Sequence, residues 1–467
     1  MAQTKVTTTV GPFKIFLYLS LVSFLTLMIV GYSMLSNDHY EDLDDKMPDF
    51  TDVHEDDHQA LREDITHPII LWWTPFTGEA GASRSCGDNA CFFTIDKHYY
   101  HHPQSKVMMF YGSDINKKNL PIPRLPRHEW ALMHEESPKN DYTLTNPTFL
   151  SLFNHTATFK RESDFPLTLQ YLDSIPWVES TKFLVTTPEK TKLQEELAPV
   201  FYAQSDCHTP SDRDAYVEEF MKYMKVDSYG FCLHNKELPK HLADPIPGMD
   251  HEDFFSLQAK YKFSFAMENA VCDDYITEKF WRPLHIGSVP IIYGSPKIRD
   301  FLPDEHSAIL VTDFESPKQL AEYLKYLNEN DEEYNKYLEW KHTGVTNKYL
   351  LDLMEERTWS ITETWKTGAS NFIEDFECFV CNRLHENLRR RKEGKKEIEH
   401  IVDKSHLECP VPKPFFTDEF DWDHVHEFSD NYASAVKYFA QQNVAYSKGE
   451  YNAKLSEIIS SKQKGWF

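Results

Sequence analysis

The chain has 467 residues, 41% hydrophobic and 26% charged, so it is globular in composition and long enough for two or three domains; collagen-like, low-complexity and wholly disordered classes are excluded. Lysine plus arginine number 49 and aspartate plus glutamate 74, a net charge of −25. That balance excludes a general nucleic-acid binder, which needs a basic footprint, and any anionic ligand must be held by a local group of basic residues.

Residues Ile15 to Asn37 contain no charged side chain. At ~1.5 Å rise per residue such a run crosses a hydrocarbon core of ~30 Å. Lys5 and Lys14 precede it, and Asp38, Glu41, Asp42, Asp44, Asp45 and Asp49 follow. The positive-inside rule then predicts a cytosolic tail over 1–14, a single signal-anchor helix over 15–37 and a lumenal remainder. The competing reading is a cleaved signal peptide with Gly31 and Ser33 at the cleavage site, for which the apolar run is long. The segment from Asp38 to Asp64 is acidic with little periodicity, and 38–66 reads as a stem.

The folded body opens at Ile69-Ile70-Leu71-Trp72-Trp73, a buried-strand pattern. Further strands are predicted at Val107–Tyr111, Trp130–Met133, Lys182–Thr186, Val200–Ala203, Tyr229–Leu233, Tyr261–Met267, Val289–Tyr293 and Ala308–Val311. A helix is predicted after Ser316, a cap residue followed by Pro317 at the first helical position and by Gln319 to complete a capping box; Leu320, Leu324 and Leu327 recur at helical spacing. Strands alternating with helices predict an α/β fold with parallel sheets. The polar stretch Glu189–Pro199 divides a domain over 67–190 from one over 191–382. Beyond it, 383–467 reads as a charged linker containing Arg389-Arg390-Arg391-Lys392, then an aromatic-rich extension (Phe415, Phe416, Phe420, Trp422) with no evident place.

Eight cysteines agree with an oxidising lumen. Cys378-x-x-Cys381 is half of a zinc-site spacing, and Cys86-x4-Cys91 is a loose match for the other half. In the lumen, two disulfides joining the two pairs are expected, tying the start of the body to its end. The partners of Cys207, Cys232, Cys272 and Cys409 stay open. Asn154-His155-Thr156 is an N-glycosylation sequon, whereas Asn146-Pro147-Thr148 is disqualified by its proline.

The densest chemical signal runs from Phe263 to Lys279. An apolar strand ends in Glu268-Asn269, a polar turn follows, and a helix begins. In parallel sheets ligands sit beyond the carboxyl ends of the strands, and a helix N-terminus offers free N–H groups and a positive dipole end to phosphate. Lys279 and Arg282 add charge, and Gly287 ends the helix before Val289-Pro290-Ile291-Ile292. By itself this is a nucleotide or sugar-nucleotide site, or else a capped helix with solvated charges.

The same segment resembles the donor-binding signature of the α1,3/4-fucosyltransferases, glycosyltransferase family 10. Phe265, Glu268 and Asn269, then Tyr275, Thr277, Glu278 and Lys279, then Val289, Pro290 and Gly294 fall on its pattern, with Met267 where the family has Phe. Glu136-Ser137-Pro138 resembles the segment holding the catalytic carboxylate. Arg161-Glu162-Ser163-Asp164 resembles the acceptor-side loop. Ser205-Asp206 with Arg213 resembles a Ser-Asn-x6-Arg motif with Asp replacing Asn, and Cys378-x-x-Cys381 the closing disulfide pair. The match is closer still to the divergent branch called fucosyltransferases 10 and 11, through Trp281-Arg282-Pro283, Phe376-Glu377-Cys378-Phe379-Val380-Cys381 and Cys409-Pro410-Val411-Pro412, among other blocks.

This resemblance implies a GT-B fold, two Rossmann-like domains facing a cleft, behind the N-terminal membrane helix. It implies an inverting fucosyltransferase with GDP-β-L-fucose as donor. Glu136 is then the general base, and Arg213 and Lys279 hold the departing diphosphate. Asn269, Tyr275 and Glu278 bind GDP or fucose, while Glu268 anchors the loop. No cofactor and no essential divalent metal are expected. Asp212-Arg213-Asp214 has the spelling of a metal-holding pair, but its acids read as helix-start residues. The branch implies a glycoprotein acceptor, serine or threonine of EMI-type modules in the endoplasmic reticulum membrane. The alternatives are α1,3-fucosylation of GlcNAc, the Golgi membrane, a metal-dependent transferase of another fold, and a catalytically silent lumenal scaffold.

Overall fold

A computed structural model describes residues 65–76, 81–244, 248–361, 370–413, 415–416 and 422–464. The expected tail, anchor and nearly all of the stem lie outside these residues. Among the described residues no helix is long and apolar enough to cross a membrane.

Two sheets organise the body. The first contains β1 (Ile69–Thr74), β2 (Ala82–Cys86), β3 (Asn89–Thr94), β4 (Ser105–Tyr111), β5 (Glu129–His134), β6 (His155–Thr158) and β7 (Phe165–Pro166), in the order β2-β3-β1-β4-β5-β6-β7. Its pairs are parallel except the β2–β3 hairpin. The second contains β8 (Val200–Tyr202), β9 (Val226–Ser228), β10 (Phe263–Met267), β11 (Val289–Tyr293) and β12 (Ile309–Leu310), all parallel, in the order β12-β11-β10-β8-β9. Strands covered on both faces read as continuous apolar runs, as in Ile69–Thr74 and Phe263–Met267, whose residues are all buried. In the second sheet β9 lies on one side of β8 and β10 on the other. The chain therefore reverses direction between β8 and β10, and the crevice beyond their carboxyl ends is where such sheets bind ligands.

Two predicted strands are corrected. Lys182–Thr186 is not a strand, because the Glu189 carboxylate accepts from the Thr186 N–H and hydroxyl and makes Thr186 the cap of helix α1 (Thr187–Leu193). Tyr229–Leu233 is not a strand either; the strand is Val226–Ser228, three residues earlier. At Gly230 the backbone passes so close to Gln204 that a Cβ would lie 2.1 Å from its carbonyl oxygen, and Leu233 takes a positive φ of 53°. The run is a turn drawn against Gln204, and hydrophobicity alone does not distinguish the two.

The other helices that matter are α2 (Arg213–Met221), α3 (Glu278–Ile286), α4 (Pro317–Glu329), α5 (Phe372–Lys392), α6 (Trp422–Gln442) and α7 (Lys448–Lys464). Helix α4 is capped by Ser316 as expected, and Leu320, Leu324 and Leu327 are buried; Gln319, though, accepts from the Glu315 N–H and not from that of Ser316. Helix α5 returns to the β2–β3 edge of the first sheet through disulfides Cys86–Cys378 and Cys91–Cys381. Arg389–Lys392, expected in a linker, is the last turn of α5, where cations suit the carbonyl end of the dipole. The structure gives the extension its place: Ala433, Ala435, Val436 and Phe439 of α6 and Tyr451 of α7 share one apolar core with Leu71, Phe110 and Phe149.

Candidate active site

The site is built at the carboxyl ends of both sheets. Helix α3 begins at Thr277, whose hydroxyl accepts from the Lys279 N–H (3.3 Å), and ends at Gly287, which takes the left-handed φ of 75°. Glu268, 3% exposed at the end of β10, accepts from the Thr277 N–H (2.7 Å) and from its hydroxyl (2.8 and 2.9 Å). This buried carboxyl anchors the start of α3. It also explains Gly294, where a Cβ would come within 2.8 Å of the Glu268 side chain. Burial pushes Glu268 up to about 7, against the pull of Lys279.

Glu278 and Lys279 open the helix and pair with each other at 3.0 Å, while Lys279 Nζ lies 3.9 Å from Glu268. Burial raises the Glu278 carboxyl, but Lys279 and Arg282 outweigh it and bring it down to about 2. Burial opposes the charge of Lys279, and Glu278 and Glu268 overcome it, so the ammonium is held above its usual range. A fixed cation at a helix N-terminus, beside anions that hold it charged, suits a diphosphate.

The first sheet supplies two adjacent acids just after β5. Glu135, 6% exposed, turns inward and accepts from the Tyr111 hydroxyl (3.0 Å); burial and the neighbouring Glu136 push it up to about 7. Glu136 turns the other way, toward the second sheet. It accepts from the Tyr275 hydroxyl at 3.4 Å and feels the charge of Lys279; burial nevertheless raises it. The loop between β10 and α3 is locked to the first sheet. Tyr275 packs edge-on to Phe159 (5.1 Å), and Arg161 grips the buried Asp274 with Nε at 2.9 Å and its backbone N–H at 3.1 Å. Asp274 has a positive φ of 66°, so this grip holds a backbone conformation that costs an L-residue about 1 kcal/mol or more.

Glu136, Tyr275, Glu278 and Lys279 thus converge. Asn269 lies on the same loop, with its carbonyl oxygen accepting from the Ser211 N–H (3.1 Å) and its side-chain Oδ1 buried without a partner. Arg213 stands at the start of α2. It is 1% exposed and donates to the carbonyls of Met267 (3.0 Å) and Asp206 (2.8 Å), bracing the end of β10. Asp212 accepts from the Phe415 N–H (2.8 Å) and Asp214 from the Tyr202 hydroxyl (2.7 Å), so both acids of that triplet are engaged at the start of α2. The sequon residue Asn154 is half-buried: its Nδ2 donates to the His400 carbonyl (3.1 Å) and its Oδ1 accepts from the Trp130 N–H (3.0 Å) and from Arg124.

Sequence reasoning missed Tyr171, whose hydroxyl is held protonated by burial and by Glu136, Glu278, Glu135 and Glu268 around it. A lone tyrosine after β7 carries no local signal. It also missed the 2.5 Å bridge from Lys139, just past the Glu136 turn, to Asp206. The remaining cysteines pair as Cys207–Cys232 and Cys272–Cys409.

Residues 65–171 match the family described as fucosyltransferase, N-terminal, and residues 188–401 match glycosyltransferase family 10 (fucosyltransferase) C-term. A relative from Danio rerio named GDP-fucose protein O-fucosyltransferase 3 is 52% identical over 75% of this chain and 76% of its own length. One of the same name from Homo sapiens is 46% identical over 83% of this chain and 82% of its own. Among solved structures, the crystal structure of an alpha1,3-fucosyltransferase with GDP is similar over 69% of this chain and 90% of that chain, with a TM-score of 0.39 and 15% identity.

Proposed function

The chain belongs to glycosyltransferase family 10, the fucosyltransferases, and on that premise we propose that it transfers L-fucose from GDP-β-L-fucose to serine or threonine hydroxyls of folded protein modules. The observation that carries the chemistry is the convergence of Glu136 from the first sheet with Tyr275 and Lys279 from the second. The protein acceptor is supported by the relatives' name, and EMI-type modules by the branch resemblance.

Transfer is a single inverting displacement. The bond between the fucose C1 and the β-phosphate oxygen breaks with its electron pair going to GDP, while the acceptor oxygen bonds C1 from the opposite face and gives its proton to Glu136. The base and the leaving group therefore lie on opposite sides of the sugar, which is why the two roles are split between the sheets. Lys279 and the N-terminus of α3 meet the charge that develops on the diphosphate. Arg213 holds the strand end in place behind them, and Asn269 offers its free Oδ1 to the donor. The two lobes take the GT-B arrangement, and no divalent metal is needed, because Lys279 and the helix end occupy that role. The four disulfides support a lumenal body, anchored by residues 15–37 in the endoplasmic reticulum or Golgi membrane.

The test is transfer of labelled fucose from GDP-fucose, with and without EDTA, to a folded EMI module and to N-acetyllactosamine side by side. Label on the module that survives EDTA and disappears with Glu136→Gln supports the proposal. Label on the glycan alone makes the enzyme an α1,3-fucosyltransferase.

A further inference from the structure

The base and the donor site stand on different sheets, so the distance between them is set by how the loop over 269–277 is tied to the first lobe. Ala270, Cys272 and Tyr275 of this loop are buried in one apolar core with Leu71, Phe110 and Leu407. Arg161 and Phe159 hold its far half, at Asp274 and Tyr275. Its near half is tied covalently: Cys272, midway between Asn269 and Tyr275 and fully buried, is joined to Cys409. Cys409 stands on a segment seated on the first sheet. Leu407 is buried in that core, and the His406 ring nitrogen and carbonyl bond the hydroxyls of Thr156 and Thr158 of β6 at 2.6 and 2.5 Å. The family match ends at residue 401, so this anchor comes from a part of the chain outside it.

The grip on the diphosphate does not pass through this tie. The start of α3 is set by Glu268, which holds Thr277, and Lys279 is paired with Glu278 on the helix itself. The orientation of the base does pass through it: the Glu136 carboxylate accepts from the Tyr275 hydroxyl at 3.4 Å, three residues beyond Cys272. A misplacement of about 1 Å between reacting groups costs about a hundredfold in rate, so a covalent tie at this point has a chemical consequence besides stability. We infer that the Cys272–Cys409 bond is a positioning device, which sets the loop against the first lobe so that Tyr275 orients Glu136 toward the sugar held by the second. This rests on the fucosyl transfer proposed above and holds for either acceptor.

The experiment compares the unmodified protein, Cys272→Ala/Cys409→Ala, Tyr275→Phe and the triple variant, each assayed well below its melting temperature with whichever acceptor the unmodified protein labels. Removing the disulfide should lower kcat about ten- to hundredfold, with GDP affinity within about twofold of the unmodified protein. Burial raises the Glu136 carboxyl and the Tyr275 bond pulls it down, while Lys279 and Glu278, the charges it also feels, stay on α3; the acid limb of kcat should therefore move to higher pH. In the Tyr275→Phe background, removing the disulfide should leave that limb where it is, and the two losses in kcat should not add. A bond that serves stability alone gives a different result, GDP affinity and kcat falling together with losses that add across the cycle, and that result overturns the inference. So does an unchanged kcat. If the double-cysteine variant does not fold, Leu407→Ala, which loosens the seat and keeps the bond, takes its place, and an unchanged kcat and acid limb there overturn the inference as well. If the unmodified protein binds GDP yet labels neither acceptor, the proposed transfer fails first, and the positioning role with it.

Discussion

Replacing Lys279 by alanine takes one positive charge from between Glu278 at 3.0 Å and Glu268 at 3.9 Å. Two losses follow. The first is the charge-assisted bond to the diphosphate, roughly 1.5–3 kcal/mol, or about ten- to 150-fold in affinity. The second is screening: a unit charge at about 4 Å is worth roughly 4 kcal/mol at an effective dielectric of 20, so the acids left behind repel the incoming anion and also take up protons more readily. The carboxyl of Glu136, which Lys279 now pulls down against burial, should rise further. Calorimetric titration with GDP should therefore show an affinity at least about tenfold weaker, and the acid limb of the transfer rate should move to higher pH. The double variant Lys279→Ala/Glu278→Gln separates the two losses, because it relieves the repulsion and cannot restore the bond. GDP affinity within about twofold of the unmodified protein would refute the assignment. Full recovery in the double variant would show that Lys279 only neutralises its neighbours.

Glu136→Gln keeps the Tyr275 contact and removes the base; transfer should fall about 10²–10⁴-fold with GDP binding retained, and unimpaired transfer would remove Glu136 from the role. Arg161→Ala takes the guanidinium from the fully buried Asp274 carboxylate and leaves it the backbone N–H of residue 161, which should destabilise the body by roughly 3–5 kcal/mol; a melting temperature close to that of the unmodified protein would show that the grip is dispensable. Glu135 and Glu268 are each pushed up to about 7 from 4.5, so each binds more proton folded than unfolded across that interval. Stability contributed by each is therefore present below the unfolded value and lost as pH rises from about 4.5 to 7, by roughly 3 kcal/mol apiece. Glu268→Gln should flatten that slope between pH 5 and 8 in thermal melts, relative to the unmodified protein; an unaltered slope would sink the argument.

Much of the candidate site was legible because its residues are neighbours in the chain. Glu268, Asn269, Tyr275, Glu278 and Lys279 sit on one strand–loop–helix unit, and Thr277 and Gly287 mark the ends of its helix. The second sheet could be read from apolar runs alone where they were both long and buried, as at Val289–Tyr293. Tyr229–Leu233 failed because a backbone approach between Gly230 and Gln204 leaves no trace in hydropathy. The role of Arg213 could not be read from its type, since an arginine suited to phosphate is equally suited to backbone carbonyls at the end of a strand, and here it meets two of them.

Four features were settled by the sequence: the α/β class, the acidic charge that demands a local cation cluster, the end of helix α3 at Gly287, and the tie between Cys86/Cys91 and Cys378/Cys381. Those features depend on residues close in the chain, on composition or on covalent chemistry. The tertiary structure alone decided that Glu135 meets Tyr111 while Glu136 meets Tyr275, that Arg161 holds Asp274, that Cys272 pairs with Cys409, and that Leu407 packs in the core of the first sheet while Phe415 packs on the second. Each of these joins residues that are distant in sequence or chooses between adjacent ones. Such choices are set by how two sheets pack, because burial and charge at a contact depend on what the other side brings to it.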